Sequence, residues 1–368
     1  MPGFRSLRFF LIALVLCLGV LCSLASVQTG QAESGTAYPN ARFLCTGQWL
    51  MHNKDAKGLV VVDVRRDKHF DNALIPGAIR MPWSLFRTSK RAQGLGDVFV
   101  GADRAQEILG RHGITRRSKV VLYDSVARDG GATSSYVFWV LDLLGHEHKM
   151  ILEQGIDGWK AAGGEVTREA MTLDTVLYQV PVRDMHLSRL VKGNFLRPRL
   201  GDRYCQIVDV RSPGEYRGEL ANTDLNGKPL KRGHMPRAVN IPDSSNWVQE
   251  KTKKIKSYAS LQGVYQGLEP DKAVVTYCHS GRRGSFAYYI LRLMGFADVR
   301  LYERSWNEWG REDRYFPVQT VPHVLSGSDR PQGEADAGKD QAQKGEKSAS
   351  PEPVQPAEDS GGYVSCGG

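Results

Sequence analysis

The sequence predicts an α/β fold built twice in tandem, each copy a parallel sheet with helices on both faces, followed by a disordered C-terminal tail. Three observations carry this expectation. First, Val61-Val62-Asp63-Val64-Arg65 recurs as Ile207-Val208-Asp209-Val210-Arg211, Pro76-Gly77-Ala78-Ile79-Arg80-Met81-Pro82 as Pro236-Arg237-Ala238-Val239-Asn240-Ile241-Pro242, and Val120-Val121-Leu122-Tyr123-Asp124 as Val274-Val275-Thr276-Tyr277-Cys278, so the chain is an internal duplication. Second, short apolar runs alternate with helical patterns in each copy: Leu59 to Val64, Lys119 to Tyr123 and Lys149 to Leu152, then Gln206 to Val210, Ala273 to Tyr277 and Val299 to Tyr302. Such alternation argues for parallel strands joined by right-handed crossovers. Third, past Pro322 the composition turns to Gly, Ser, Ala, Pro, Gln and mixed charge, with almost no large apolar residue before Tyr363-Val364. A segment of that kind buries too little surface to offset its ordering entropy.

In chain order, Met1 to Ala32 has the parts of an export signal: Arg5 and Arg8, an apolar run from Phe9 to Leu24, then small residues, with Gly30-Gln31-Ala32 as a small-x-Ala cleavage site and Ser23-Leu24-Ala25 as a weaker one. This expects a periplasmic or secreted protein. The alternative is an uncleaved anchor, because the run is close to the lower length for a spanning helix. Lipid attachment at Cys17 or Cys22 is disfavoured, since Leu16 and Leu21 stand where a lipoprotein signal wants a small residue. The remaining chain, with 41% hydrophobic residues overall, is enough for two ordinary domains. Their expected bounds are 38–165 and 185–322, with a linker at 166–184 and the tail at 323–368.

The informative stretch of the second copy is Val274 to Ser285. A β-branched run stops at Cys278, a loop with two glycines and two arginines follows, and Ala287, Ile290, Leu291 and Met294 then recur at helical spacing. A strand, a loop and a helix aim the helix N-terminus at the cysteine. Ser280, Gly281 and Gly284 let backbone N–H groups converge, and Arg282 and Arg283 add charge, so the loop is an anion cradle that favours a thiolate over a thiol. In a parallel sheet this position, beyond the carboxyl end of a strand, is where active groups lie. The first copy has Asp124 in place of Cys278, followed by a loop about four residues longer. A carboxylate cannot carry a sulfur atom, and it reads as a loop-capping or interface group with Arg128 as its nearby partner.

Cys278, Gly281 and Arg283 meet the form Cys-x-x-Gly-x-Arg, which resembles the active-site loop of the rhodanese (sulfurtransferase) family. The loop of protein tyrosine phosphatases differs from it, having five residues between Cys and Arg where four intervene here, and Gly284 stands where the phosphatase arginine would be. The resemblance runs from about Arg42 to Pro317. It includes Gln154-Gly155-Ile156-Asp157-Gly158-Trp159 and the sulfurtransferase-like run Ser305-Trp306-Asn307-Glu308-Trp309. An inactive N-terminal copy and an active C-terminal one is the arrangement the resemblance implies. Two positions depart from the family pattern, Arg237 and Arg304, where glycine is usual, and both make the expected pocket rim more basic.

The chemistry so implied is attack of the Cys278 thiolate on the outer sulfur of a donor, leaving a Cys278 persulfide that an acceptor thiol or cyanide then discharges in ping-pong fashion. For thiosulfate the leaving group is sulfite, which Arg282 and Arg283 would hold as charge builds on it. Arg211 is a third candidate for the anion by resemblance, against a plain salt bridge to Glu215. His279 would tune the thiolate, bind an acceptor, or simply be exposed. These charges favour thiosulfate, while 3-mercaptopyruvate transferases carry small uncharged residues here. No metal or organic cofactor is implied.

The formal net charge of +9 suits anionic substrates. No strong basic-aromatic nucleic-acid motif is present, and Lys251 to Lys256 and Arg116-Arg117 read as solvated faces, with membrane contact through the lysine run the weaker alternative. The chain closes on Gly361-Gly362-Tyr363-Val364-Ser365-Cys366-Gly367-Gly368, which resembles the Cys-Gly-Gly arm of the periplasmic sulfur-oxidation carrier protein. By that resemblance Cys366 is a sulfur-carrier candidate serving this chain or a periplasmic sulfur-metabolism partner. A tail of about forty residues spans roughly 35 to 40 Å, enough to reach Cys278. Its plain alternative is an incidental cysteine. Cys45 and Cys205 are read as unpaired buried thiols, with a bridge between them as the alternative. Three function classes stay open: a thiosulfate-type sulfurtransferase, a sulfur relay whose acceptor is a protein thiol, and a cysteine phosphatase or arsenate reductase.

Overall fold

The computed structural model describes residues 37–90, 95–127, 130–202, 205–224 and 226–323; the expected export segment, Arg128 and the tail with Cys366 lie outside the described residues. The first copy runs β1 (Leu44–Cys45), α1 (Gly47–Asn53), β2 (Leu59–Asp63), β3 (Ile79–Arg80), β4 (Arg87–Lys90), β5 (Leu95–Phe99), α2 (Ala102–Arg111), β6 (Lys119–Tyr123), α3 (Ala132–Leu143), β7 (Lys149–Leu152) and α4 (Gly155–Ala161). The second runs β8 (Leu190–Val191), α5 (Gly193–Leu196), β9 (Cys205–Asp209), α6 (Pro213–Tyr216), β10 (Ala238–Asn240), α7 (Tyr258–Val264), β11 (Ala273–Tyr277), α8 (Arg282–Leu293), β12 (Val299–Tyr302) and α9 (Ser305–Trp309). Each copy forms a five-stranded parallel sheet, in the orders β1-β7-β6-β2-β3 and β8-β12-β11-β9-β10. The two orders superpose element for element, as duplication requires.

Strand periodicity explains the two helix layers. In β2 and β6, Val62, Val120 and Leu122 turn to the face covered by α2 and α3, while Val61, Val121 and Tyr123 turn to the face covered by α1 and α4. The second sheet divides the same way, Val208 and Val274 against Ile207, Val275 and Tyr277. The sequence gives no warning of β4 and β5, an antiparallel pair outside the main sheets.

The copies are not separate cores. Every residue of α3 is buried, and its neighbour across the boundary is α8, so a helix apolar on all sides is what this position demands. Phe138 meets Tyr289 edge-on at 5.0 Å between ring centroids, and one continuous cluster holds core residues of both copies. Residues 38–323 accordingly fall within one compact unit. The segment 166–184 pairs Thr167 with Leu74 and passes Val176 and Val180 over α2.

At the end of α3 the buried Asp142 ties the copies electrostatically. Its carboxylate takes Lys149 Nζ at 2.7 Å, Arg189 Nη1, Arg292 Nε at 3.3 Å and the Tyr288 hydroxyl. Burial works against this charge, but the three cations override it and hold the carboxyl below the usual range. Nearby, burial and Lys149 hold His146 down to about 4, its ring set between the Tyr178 hydroxyl and the Ser118 carbonyl.

Both groups bind fewer protons folded than unfolded. The stability they supply is full above about pH 6.5, is lost as pH falls through about 4 for His146, and is lost further as Asp142 is forced to protonate. Urea unfolding at pH 7 should show Asp142→Asn less stable by about 3 to 5 kcal/mol, because three cations then share a buried site without their anion. A loss below about 1 kcal/mol would show that the cluster does not tie the copies.

Candidate functional site

The site is built where β11 delivers Cys278 to the N-terminus of α8. Gly281 turns the chain there with φ +90°, and a Cβ at that position would fall 2.4 Å from the Glu303 carbonyl oxygen, so only glycine fits. The turn aims the Gly281 N–H at Cys278 Sγ, at 3.1 Å. The cysteine backbone is held from the other side by the run at 305–309. Its N–H donates to Ser305 Oγ at 3.1 Å, its carbonyl accepts the Trp306 N–H at 3.0 Å, and the Ser305 hydroxyl passes on to the Tyr302 carbonyl at 2.8 Å. Cys278 is buried, 1% exposed.

The first copy repeats this frame with a different anion. Asp124 sits at the end of β6, its carbonyl accepts the Ile156 N–H at 2.9 Å, and its carboxylate accepts the N–H groups of Gly131, Thr133 and Ser134 and the Thr133 hydroxyl. Asp124 is therefore a cap on α3, as its capping reading expects. The helix N-terminus faces an acidic side chain in one copy and a sulfur atom in the other, and burial pushes the Asp124 carboxyl up.

The arginines distribute differently from the sequence expectation. Arg283 is at the site, but its two terminal nitrogens bond Glu215 at 3.0 and 3.2 Å. Burial opposes the Glu215 charge, and Arg283 overrides it and holds the carboxyl down to about 2. Glu215 is itself fixed by a reciprocal cap with Ser212 at the start of α6. Arg282 lines a small cavity of about 20 Å3 between the copies, together with Arg65, Arg66, His69, Trp83, Asp124 and Thr133.

Arg211 is corrected in both its readings. It is fully buried, bonded to Asp209 at 2.6 Å and to the Gly233 carbonyl at 2.7 Å, and its salt bridge is to Asp209 and not to Glu215. Arg65 makes the same pair with Asp63, also at 2.6 Å, in the copy that has Asp124 in place of Cys278. Residues two apart on a strand share a face, so Asp-Val-Arg is a self-pairing unit that serves the fold.

The other expected residues separate in the same way. His279 is half-buried, and burial with the neighbouring Arg283 holds it down to about 4, so its imidazole is neutral near pH 7. Ser280 offers its carbonyl to Arg87 of the first copy at 2.9 Å. Gly284 lies inside α8, where a Cβ would come within 3.3 Å of Tyr277 Cα, so it permits close helix–strand packing. Arg237 adopts φ +63°, where the first copy has Gly77 at +81°. Arg304 has ordinary helical φ and pairs with Glu308 at 2.9 Å, so the rim is less basic than the sequence implies.

Lys253 is not on a solvated face: its Nζ stands 3.8 Å from the centre of the Trp247 ring, with the side chain 13% exposed. Cys45 and Cys205 are free thiols, buried and half-buried, each with its thiol pKa pushed up by burial. Sequence reasoning missed Asp243, which faces Arg283 and Lys253 from beyond β10 and whose carboxyl burial pushes up; it stands where the first copy has Trp83, and no motif marks it. Among the described residues, no group of three or more His, Cys, Asp or Glu side chains is placed to hold a metal ion.

A Rhodanese-like domain model matches residues 46–162 and again 195–312. The chain is 30% identical over 291 residues to the thiosulfate sulfurtransferase of Corynebacterium glutamicum, covering 77% of this chain and 92% of that one. It is 29% identical over 283 residues to the sulfur carrier protein TtuD of Thermus thermophilus, covering 74% and 95%. Among solved structures, the anaerobic ergothioneine biosynthesis enzyme from Chlorobium limicola shares the fold at a TM-score of 0.65 and 21% identity, over 77% of this chain and 72% of that one.

The Arg283–Glu215 pair has a measurable signature. Arg283→Met should cost about 3 to 5 kcal/mol by leaving Glu215 buried and unpaired, and the double variant with Glu215→Gln should cost clearly less than the sum of the two single changes. Additive losses in the double-mutant cycle would show that the two side chains act independently.

Proposed function

The chain belongs to the rhodanese family of sulfurtransferases, and from that premise we propose that it moves sulfane sulfur through a persulfide on Cys278, from thiosulfate or a related donor to a thiol or cyanide acceptor. The observation that carries this reading is the Gly281 N–H aimed at a buried Cys278 Sγ at the N-terminus of α8. The Cys278 thiolate attacks the outer sulfur of the donor, the sulfur–sulfur bond of thiosulfate breaks, and sulfite leaves with the electron pair. In the second half-reaction an acceptor thiolate attacks the outer persulfide sulfur, and Cys278 leaves as a thiolate. The helix N-terminus favours each anion in turn.

Thiosulfate as donor is supported by the name of the Corynebacterium relative more than by the charges of the loop. Arg283 is engaged with Glu215, and His279 is neutral. The acceptor we assign is a thiol, with Cys366 of the chain's own tail the first candidate, on the strength of its glycine-flanked terminal position. An export segment at Met1 to Ala32 would put this chemistry in the periplasm or outside the cell.

Intact mass after thiosulfate treatment tests the reading in wild type, Cys278→Ser and Cys366→Ser. A sulfur adduct lost in Cys278→Ser is expected, together with a second adduct on Cys366 that depends on Cys278. An adduct on Cys278 alone would leave an ordinary sulfurtransferase with a passive tail, and no adduct in any form would sink the persulfide.

A further inference from the structure

The loop that carries Cys278 is held by a residue of the first copy, the one with Asp124 at the corresponding position. Arg87 opens β4, and its side chain is 8% exposed. It runs past the rings of Trp83 and Tyr136, 5.2 and 5.4 Å from their centres. Its Nη2 donates to the Asp97 carbonyl of β5 and to the Ser280 carbonyl of the cysteine loop, the latter at 2.9 Å. The carboxylate of Glu303 stands 3.6 Å from the same nitrogen and accepts the Tyr136 hydroxyl at 2.8 Å. Glu303 is buried, and its own carbonyl is the wall that fixes Gly281.

The Ser280 carbonyl and the Gly281 N–H belong to one planar peptide unit. In a trans peptide they point in opposite directions. The carbonyl that Arg87 holds is therefore the back of the donor that faces Cys278 Sγ at 3.1 Å. Rotating that peptide would turn an oxygen toward the sulfur in place of the N–H, and a glycine at 281 offers less resistance to such rotation than any other residue. A cationic donor on the carbonyl also polarises the unit and strengthens the opposite N–H.

We infer that Arg87 is a positioning residue for the sulfur-transfer loop, and that the first copy, which has Asp124 in place of the loop cysteine, contributes to the reaction by locking the 280–281 peptide through it. This rests on the persulfide reading above. Arg87 touches neither the sulfur nor the donor. Its effect is on how well the loop favours negative charge on Cys278 and its persulfide, so it should act on the rate of transfer more than on the affinity for the donor.

The test is the rate of persulfide formation from thiosulfate in wild type, Arg87→Met, Arg87→Lys and Tyr136→Phe, alongside the amide resonance of Gly281 in each isotopically labelled full chain. Arg87→Met is expected to lower the maximal rate about tenfold to a hundredfold, less than the roughly hundredfold to thousandfold cost of removing an oriented donor outright, with the half-saturating thiosulfate concentration changed less than threefold and the Gly281 amide proton shifted upfield. Arg87→Lys should restore part of the rate and part of the shift, and Tyr136→Phe, which frees Glu303, should fall between wild type and Arg87→Met. Should Arg87→Met not fold, the latter two variants carry the test by the same two readouts. Wild-type rate with an unmoved Gly281 amide in the folded variants would overturn the inference. If wild type itself forms no persulfide, the functional reading fails, and the amide resonance alone still decides whether Arg87 orients the peptide.

Discussion

A helix whose N-terminus is buried at the end of a strand leaves backbone N–H groups that need an acceptor, and negative charge satisfies them best. That demand arises twice in this chain, at the starts of α3 and α8, because the duplication repeats strand, loop and helix in both copies. The first copy meets it with the Asp124 carboxylate and four donors around it. The second meets it with the sulfur of Cys278. Everything else near the boundary between the copies can be understood as keeping these two sites apart in charge and together in packing.

Charges at the boundary are paired and buried in preference to being displayed. Arg283 is matched by Glu215, Arg211 by Asp209, and Lys149, Arg189 and Arg292 by Asp142. A basic chain is thus compatible with a site that has little free positive charge. The anion preference of the cysteine loop comes from oriented backbone dipoles, which cost no reorganisation when charge moves onto the sulfur. Such dipoles must be fixed from behind, and the residues behind the loop belong to the other copy. This gives the first copy, with Asp124 in its cradle, a physical reason to remain.

Most of the frame was legible because it is local in sequence. Alternating apolar runs place the central strands, the repeated Asp-Val-Arg and Pro-x-Ala segments reveal the duplication, and the Cys-x-x-Gly-x-Arg spacing places Cys278 in the turn between strand and helix. Reading charge from spacing worked less well. Arg211 looks like a ligand until its recurrence as Arg65 shows that the residue two positions before it is its partner. Glu215, read from the sequence as a partner of Arg211, instead reaches Arg283, which lies 68 positions away. Arg87 was beyond reach altogether, since its contact with Ser280 joins residues 193 apart and no motif marks the Arg87 end. Side-chain pairing across a domain boundary is set by packing, and packing is not written in any short window of sequence.

The central claim is that one copy stores one sulfur atom on one thiol while the other copy's cradle is permanently filled. The most direct measurement is the sulfite released when the mature chain meets excess thiosulfate with no acceptor present. A rapid burst of one sulfite per chain in Cys366→Ser, rising to two where Cys366 is present to accept the first sulfur, and absent in Cys278→Ser, is the expected result. No burst in the wild-type chain, or an undiminished burst from Cys278→Ser, would contradict the account.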